Sequence, residues 1–358
     1  MTTYSETKNP NNVRRLGPIQ QLIWFISGAY SFIMLAYLIL RLILRDEVWG
    51  LALLNAFAVY TFAPLLILLP LCILVRIWRM VIRLGFLALL GVIWFGPFFQ
   101  PVTIDATDNP TLTIATFNLE VDRGGFTENV DAFGAWLDAN NVDVVVFQET
   151  PNSLLDDGFP TLTETYTYVP QSDLRREGLR KSLLTRYPTQ PAEQNEIYQR
   201  VVIEFEGQQI ALYNVHFAWP FLDEPRFDID TGSGWLNLLL KYDEADRNDQ
   251  LEAFLDVIEA EELPYIVAGD FNTSQHSIIY SALAVEMEDS YRVASSGLGA
   301  TWPTDRYGPL VPPLLRIDYV WYDDDALQAV RSEVGPEFGS DHLPLFAQLE
   351  LLPTSEDE

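Results

Sequence analysis

Three long charge-free stretches open this chain, and short apolar runs alternating with amphipathic segments follow them. Residues 16–40 carry no charge between Arg15 and Arg41, residues 48–75 none between Glu47 and Arg76, and residues 84–104 none between Arg83 and Asp105. A helix needs about 20 apolar residues to cross the hydrocarbon core. The stretches therefore predict a transmembrane region over 1–102 with spans at 19–40, 51–75 and 84–102. Pro64 and Pro70 are compatible with the middle span, because neighbouring helices in a membrane bundle re-satisfy freed backbone groups. Trp24, Trp49, Trp78 and Trp94 fall near span ends, as interfacial anchors do. A signal peptide before a buried helical domain is the alternative, and three long stretches in so short a region speak against it.

After a polar linker at 103–110 the period changes. Runs at 111–119, 142–148, 163–169, 181–186, 197–205, 209–216, 264–269, 315–322 and 343–351 read as strands. Two amphipathic helices are predicted at 128–140, with Thr127 as N-cap and Val130, Phe133 and Leu137 on one face, and at 247–260, with Leu251, Phe254, Leu255 and Ile258. A third, shorter helix begins near Ser274. Many short strands with few helices predict an α/β domain of two packed sheets flanked by helices over 111–351, followed by an acidic tail at 352–358. The irregular stretch 218–246 is long for a compact domain and mixes Trp219, Phe221, Phe227, Trp235 and Leu238–Leu240 with acids.

Charge separates the two regions. The chain holds 22 basic and 50 acidic residues, of which residues 1–100 contain eight and three, so the remainder carries 14 and 47, a net of −33. Such a surface repels polyanions and disfavours nucleic acid as a partner; Arg175, Arg176, Arg180 and Lys181 form its one local basic cluster. Lys8, Arg14 and Arg15 before the first span, and Arg76, Arg79 and Arg83 before the third, predict a cytoplasmic side for both segments. Arg41 and Arg45 run against this bias, accompanied by Asp46 and Glu47. The expected localisation is a multi-pass cell-membrane protein with an extracytoplasmic C-terminal domain. The single cysteine, Cys72, lies in the second stretch, which leaves the outer domain without a disulfide.

Polar residues recur where the strand-like runs stop: Asn118 and Glu120, Glu149, His216, Asp270 and Asn272, and the pair Asp341–His342 before the last strand. One such residue reads most simply as a turn or cap, but five strand ends in the same register indicate a shared site. A hard cation takes one or two carboxylates and keeps positions for water and phosphate oxygens, a role for Glu149 and Glu120. Asp270 suits an attacking water that must be oriented and deprotonated, and Asn272 can donate to a phosphoryl oxygen. His342 can stabilise charge developing on that oxygen if a buried carboxylate keeps it cationic, with Asp318 as the candidate partner. His276 reads as an exposed histidine at a helix start, having no ligand-spaced acid or cysteine, and Arg186 as a structural strand-end residue.

The ordered segments TFNLE, FQET, LLTRYP, NVHF, GDFN, RIDYVW and GSDHLP, over about 110–351, resemble the endonuclease/exonuclease/phosphatase superfamily of DNase I-like fold. The resemblance implies a four-layer sandwich, Mg²⁺ or Mn²⁺ as cofactor, and Asn118 and Glu149 at metal and phosphate. It further implies Asp270 and Asn272 at the nucleophilic water, an Asp318–His342 dyad, Asp341 as a further metal or water-positioning acid, and His216 as the second histidine of phosphodiesterase members. Glu120 stands where only some members have an acidic ligand. The function expected is a membrane-anchored, metal-dependent hydrolase of phosphate esters, with the bilayer and a lipid or small phosphate ester as partners. An extracytoplasmic nuclease of the same fold and a non-catalytic membrane receptor for a phosphorylated ligand are the alternatives.

Overall fold

The computed structural model describes residues 16–104, 107–120, 125–151, 162–171, 180–221, 241–304 and 312–353. Phe227, Trp235 and Leu238–Leu240 of the irregular stretch, and Arg175 and Arg176 of the basic cluster, lie outside the described residues. Contacts divide the chain into one unit of residues up to Ile43 with Ala58–Gly96, and another of Leu44–Phe57 with everything from Pro97 onward.

Five helices open the chain: α1 (Pro18–Leu44), α2 (Trp49–Ala56), α3 (Ala58–Thr61), α4 (Leu65–Leu74) and α5 (Trp78–Phe95). All but α2 belong to the first unit. The runs Pro18–Leu44 and Trp78–Phe99 are each long and apolar enough to cross a membrane; Trp49–Ala56 and Ala58–Leu74 qualify only as a pair broken at Phe57. The continuous helix predicted over 51–75 is thus interrupted twice. The second interruption contains Pro64, which has no amide hydrogen to give. The third helix starts earlier than 84 and carries Arg79 and Arg83, whose long stems can bring the charge to an interface. Apolar side chains stay open on this unit, among them Phe32 at 74% and Leu66 at 80%, an outward face suited to lipid. Inside it polar groups are paired: Ser27 Oγ lies 3.3 Å from Cys72 Sγ, and the Tyr30 hydroxyl donates to Thr61 O at 2.9 Å.

The second unit contains two six-stranded sheets. One has the order β11 (Leu327–Val334), β12 (Leu345–Leu351), β1 (Thr111–Asn118), β2 (Val144–Gln148), β4 (Lys181–Thr185) and β3 (Thr167–Pro170). The other runs β5 (Thr189–Gln194), β6 (Tyr198–Phe205), β7 (Gln208–His216), β8 (Tyr265–Asp270), β10 (Asp318–Tyr322) and β9 (Glu288–Asp289). The neighbours β1–β2 and β7–β8 are parallel. In each sheet this central pair brings two strand C-terminal ends to one edge, which is where ligands meet parallel strands.

Strand periodicity divides the side chains among layers. Val144 and Val146 of β2 enter the core between the sheets, while Val145 and Phe147 turn to an outer layer with Phe133 and Leu137 of α6 (Val130–Ala139). Ile266 and Ala268 of β8 face inward, whereas Val267 packs outward with Leu251, Phe254 and Ile258 of α7 (Ala245–Glu259) and Leu283 of α8 (Ile278–Glu286). The result is helix, sheet, sheet, helix, as the fold class predicts. Three details differ. Asn129 rather than Thr127 occupies the N-cap position of α6, because Gly125–Glu128 forms a 3₁₀ turn of its own, and the Asn129 side chain donates to Gly125 O instead of capping the helix. The helix expected near Ser274 begins at Ile278, the Ser274 hydroxyl being turned onto Ala56 O at 2.9 Å. Strands β5, β9 and β11 have no counterpart in the sequence reading.

Candidate active site

The inward-facing rows of the two sheets end in polar residues at one edge. Leu112 and Ile114 line the inter-sheet core, and two steps further along β1 the same face presents Thr116 and then Asn118. In β7, Ile210 and Leu212 lead to Asn214 and His216; in β8, Ile266 and Ala268 lead to Asp270; in β10, Tyr322 and Val320 lead back to Asp318. A period of two thus converts an apolar core into a cluster of chemical groups without any change of direction. Gln148, Asn214 and Thr116 form the layer between: Gln148 Nε2 donates to Asn214 Oδ1 at 2.8 Å, and Asn214 Nδ2 donates to Phe147 O and Ser182 O, each at 3.0 Å.

Asp270 is the hub. Its Oδ2 accepts from Asn118 Nδ2 at 3.0 Å and faces His216 Nε2 at 3.7 Å and His342 Nε2 at 3.8 Å. Its Oδ1 accepts from the Asn272 amide at 2.8 Å, closing an Asx turn. Asn118 Nδ2 also reaches Glu149 Oε1 at 3.3 Å, and His216 Nε2 lies 3.8 Å from the same oxygen. His342 Nδ1 stands 2.9 Å from Asp318 Oδ2. Asp341 Oδ1 is 3.9 Å from His342 Nε2, and Glu120 Oε2 accepts from the Asp341 amide at 3.1 Å. Asn272 sends its Nδ2 to Phe217 O at 2.9 Å. All nine residues predicted from the sequence therefore lie in one connected neighbourhood.

Backbone geometry supports the cluster. Glu120, Glu149 and Asn272 all adopt positive φ, between 47° and 52°, an uncommon conformation for residues with side chains and one that concentrates at functional sites. Gly269, at φ 155°, lets β8 approach β7 so closely that a Cβ there would stand 2.0 Å from Val215 O.

The electrostatics follow from burial and crowding. Burial pushes the Asp270 carboxyl above the usual range, as does Asp318, while His342 pulls it down. Glu149 keeps 25% of its side chain exposed, yet burial of the carboxyl and the adjacent Asp341 push it up to about 7 against the pull of His342 and Asn118. Burial disfavours the charged form of His342, and Asp318, Asp270 and Asp341 together outweigh it, holding the imidazole well above its usual value and cationic. Atoms of Asp270, Asp318 and His342 lie within 4.8 Å of one another. Asp318 engages Nδ1 of His342 at 2.9 Å, so this trio is described as a histidine–aspartate dyad beside a base. The carboxylate side, with Glu149, Asp341, Glu120 and Asn118 adjacent, offers the hard oxygen donors that Mg²⁺ or Mn²⁺ prefers. The residues present fit such an ion.

Two residues, Ser340 and Trp302, escaped the sequence reading. Ser340 Oγ donates to Asn118 O at 2.7 Å and accepts from the His342 amide at 3.1 Å, linking two strand ends. Trp302 Nε1 donates to Asp341 Oδ2 at 3.2 Å, and Trp219 packs edge-on against it at 5.5 Å, giving the site an aromatic flank. Ser340 lies within GSDHLP, where its neighbours drew attention; nothing local marks Trp302. Two expectations are corrected. His276 is buried with its ring stacked on Phe98 at 5.6 Å, because the turn before α8 folds inward. Lys181 belongs to no surface cluster, being buried with Nζ donating to Glu196 O at 2.7 Å and its pKa lowered by burial to about 7. Arg186 pairs with Tyr166 and Asp138, in keeping with a structural role.

Solved structures share this fold. An endonuclease/exonuclease/phosphatase from Bacteroides vulgatus, 18% identical with a TM-score of 0.52, aligns over 68% of this chain and 100% of its own. An endonuclease/exonuclease/phosphatase family protein from Bacteroides thetaiotaomicron, 16% identical with a TM-score of 0.52, aligns over 69% and 100%. At these identities the likeness is one of fold. Comparison with curated proteins gives no match. The Endonuclease/Exonuclease/phosphatase family matches residues 115–342, from the middle of β1 to the imidazole at the centre of the cluster, and the chain belongs to that family.

Proposed function

We propose that this protein is a membrane-anchored, divalent-metal-dependent hydrolase of phosphate esters, acting on a lipid or small phosphate ester outside the cytoplasm. The observation that carries the reading is the meeting of Asn118, Glu149, His216 and His342 around the Asp270 carboxylate, with Asp318 behind His342. Glu149, with Glu120, Asp341 and Asn118 beside it, would hold a divalent cation, which would supply Lewis-acid stabilisation of the phosphate oxygens. Asp270 accepts a proton from water, its carboxyl poised upward by burial. The His342 imidazolium, fixed through Nδ1 by Asp318, directs Nε2–H at charge building on a phosphoryl oxygen. His216 Nε2 approaches the same Asp270 oxygen as His342 and would serve a second phosphoryl oxygen. Asn272 orients Asp270 through its backbone amide. The −33 charge of the residues beyond 100 favours a compact substrate over a polyanion.

The test is a substrate panel on the full chain in detergent, with Mg²⁺ or Mn²⁺: a chromogenic diester, a monoester, a short-chain phospholipid and plasmid DNA at low salt. Cleavage of the small or lipid esters ahead of DNA is expected. Efficient, salt-sensitive nicking of DNA shifts the reading to a nuclease, and inertness towards all four with tight binding of a phosphorylated ligand shifts it to a receptor. For sidedness, protease added to intact cells is expected to digest the C-terminal domain; protection there with cleavage in inverted vesicles reverses the topology.

A further inference from the structure

Two short segments that continue the apolar helices are built into the catalytic unit. After α1, Asp46 accepts from the amide of Ile278, the first residue of α8, and from Asn55 Nδ2 within its own segment. At the end of α2, Ala56 O accepts from Ser274 Oγ at 2.9 Å. After α5, the Phe98 ring stacks on His276 and lies 4.7 Å beneath the Arg292 guanidinium, while Phe98 O accepts from Gly297 N at 2.6 Å. Both segments thus grip residues 274–278, the direct continuation of Asp270 and Asn272.

The same segments carry the exposed apolar surface of the unit. Among its described residues six large apolar side chains are exposed, and five of them, Val48, Trp49, Leu54, Phe99 and Val102, belong to these segments; the sixth is Val285 of α8. A domain of net −33 has many charged residues for its surface, and five of the six open apolar groups among its described residues nonetheless lie where the chain arrives from lipid-compatible helices. Trp and aliphatic side chains next to a span are the chemistry of a membrane interface.

The geometry points to a bilayer-contacting face on the catalytic unit, formed by Val48, Trp49, Leu54, Phe99 and Val102 seated in the headgroup region, with residues 274–278, the continuation of Asp270 and Asn272, gripped directly behind it. The inference deepens the proposed function and rests on its membrane-anchored part alone, not on the hydrolytic part. It gives the hydrolase a fixed station at the lipid surface rather than a tethered domain free to leave it.

The experiment is spin-label depth measurement on the full chain, with Cys72→Ser, reconstituted in liposomes. Labels go at Leu54→Cys and Phe99→Cys, with Phe32→Cys in α1 as the lipid reference and Glu204→Cys, exposed in β6, as the aqueous reference. Relaxation by oxygen exceeding that by a water-soluble nickel chelate at positions 54 and 99, with the reverse at 204, is expected. Labels at 54 and 99 that follow 204, while 32 reports lipid, overturn the face and leave the anchoring intact. Aqueous behaviour at 32 as well overturns the anchoring and the face together. Agreement between 54 and 99 guards against one label disturbing its own packing.

Discussion

Nδ1 of His342 lies 2.9 Å from Oδ2 of Asp318, and both side chains are buried. The hydrogen bond fixes the ring so that Nε2 faces Asp270 and Asp341 at 3.8 and 3.9 Å. Removing the Asp318 charge should release the imidazolium and misalign the donor. Asp318→Asn is expected to lower kcat by about a hundredfold or more, the scale of losing one charge-stabilising donor, with KM changed little. Steady-state kinetics on a chromogenic diester check this; wild-type kcat in a folded Asp318→Asn protein contradicts it.

Ser340 ties the end of β1 to the last motif through Asn118 O and the His342 amide. Ser340→Ala leaves both partners buried without that contact, so a loss of about 1–3 kcal/mol of stability is expected. The same change should lower the diester rate, because Asn118 and His342 lose their shared brace. Thermal unfolding and kinetics on one preparation measure both.

Gly269 admits no side chain. A Cβ there would stand 2.0 Å from Val215 O at a φ of 155°, so Gly269→Ala must push β7 from β8 and part His216 from Asp270. A loss of at least about 3 kcal/mol is expected, in the range of forced backbone incompatibility. A melting temperature equal to wild type contradicts the strand approach seen here.

Burial and Asp341 raise the Glu149 carboxyl to about 7, from an ordinary value near 4.5. A raised acid binds protons in the folded state that the unfolded chain has already released. Stability of the metal-free protein should therefore be greatest below about pH 4.5 as far as this group is concerned, and decline by about 2–3 kcal/mol as pH rises to about 7. Asp270, also raised, acts in the same direction. Melting curves of metal-free protein at pH 5 and 7.5 check the sign, and Glu149→Gln should flatten the difference. A divalent cation should stabilise more at the higher pH, where the acids are ionised.

Much of the site was legible because it is written in strand periodicity. Asn118, His216, Asp270 and Asp318 each continue an inward row of apolar residues, and a polar residue at the end of such a row has nowhere to go but the sheet edge. Other features depend on partners distant in sequence. Strand β11 exists because Leu327–Val334 pairs with β12, and its exposed alternate residues give it no apolar run to read. His276 is buried by Phe98, and Trp302 reaches Asp341 from 39 residues away. The break of the second apolar stretch at Phe57 was equally hidden, since Trp49–Ala56 and Ala58–Leu74 read as one hydrophobic run while Ala56 is held by Ser274.

The central claim is that the Asp270 cluster is a cation-dependent hydrolytic centre. The most direct measurement is the initial rate of diester cleavage by the full chain, stripped by a chelator and then titrated with Mg²⁺, for wild type beside Asp270→Asn. The account predicts no rate after stripping, saturable recovery in the wild type, and recovery at least about a hundredfold lower in the variant, the scale of losing a general base. Undiminished cleavage after stripping, or wild-type recovery in a folded Asp270→Asn protein, would contradict it.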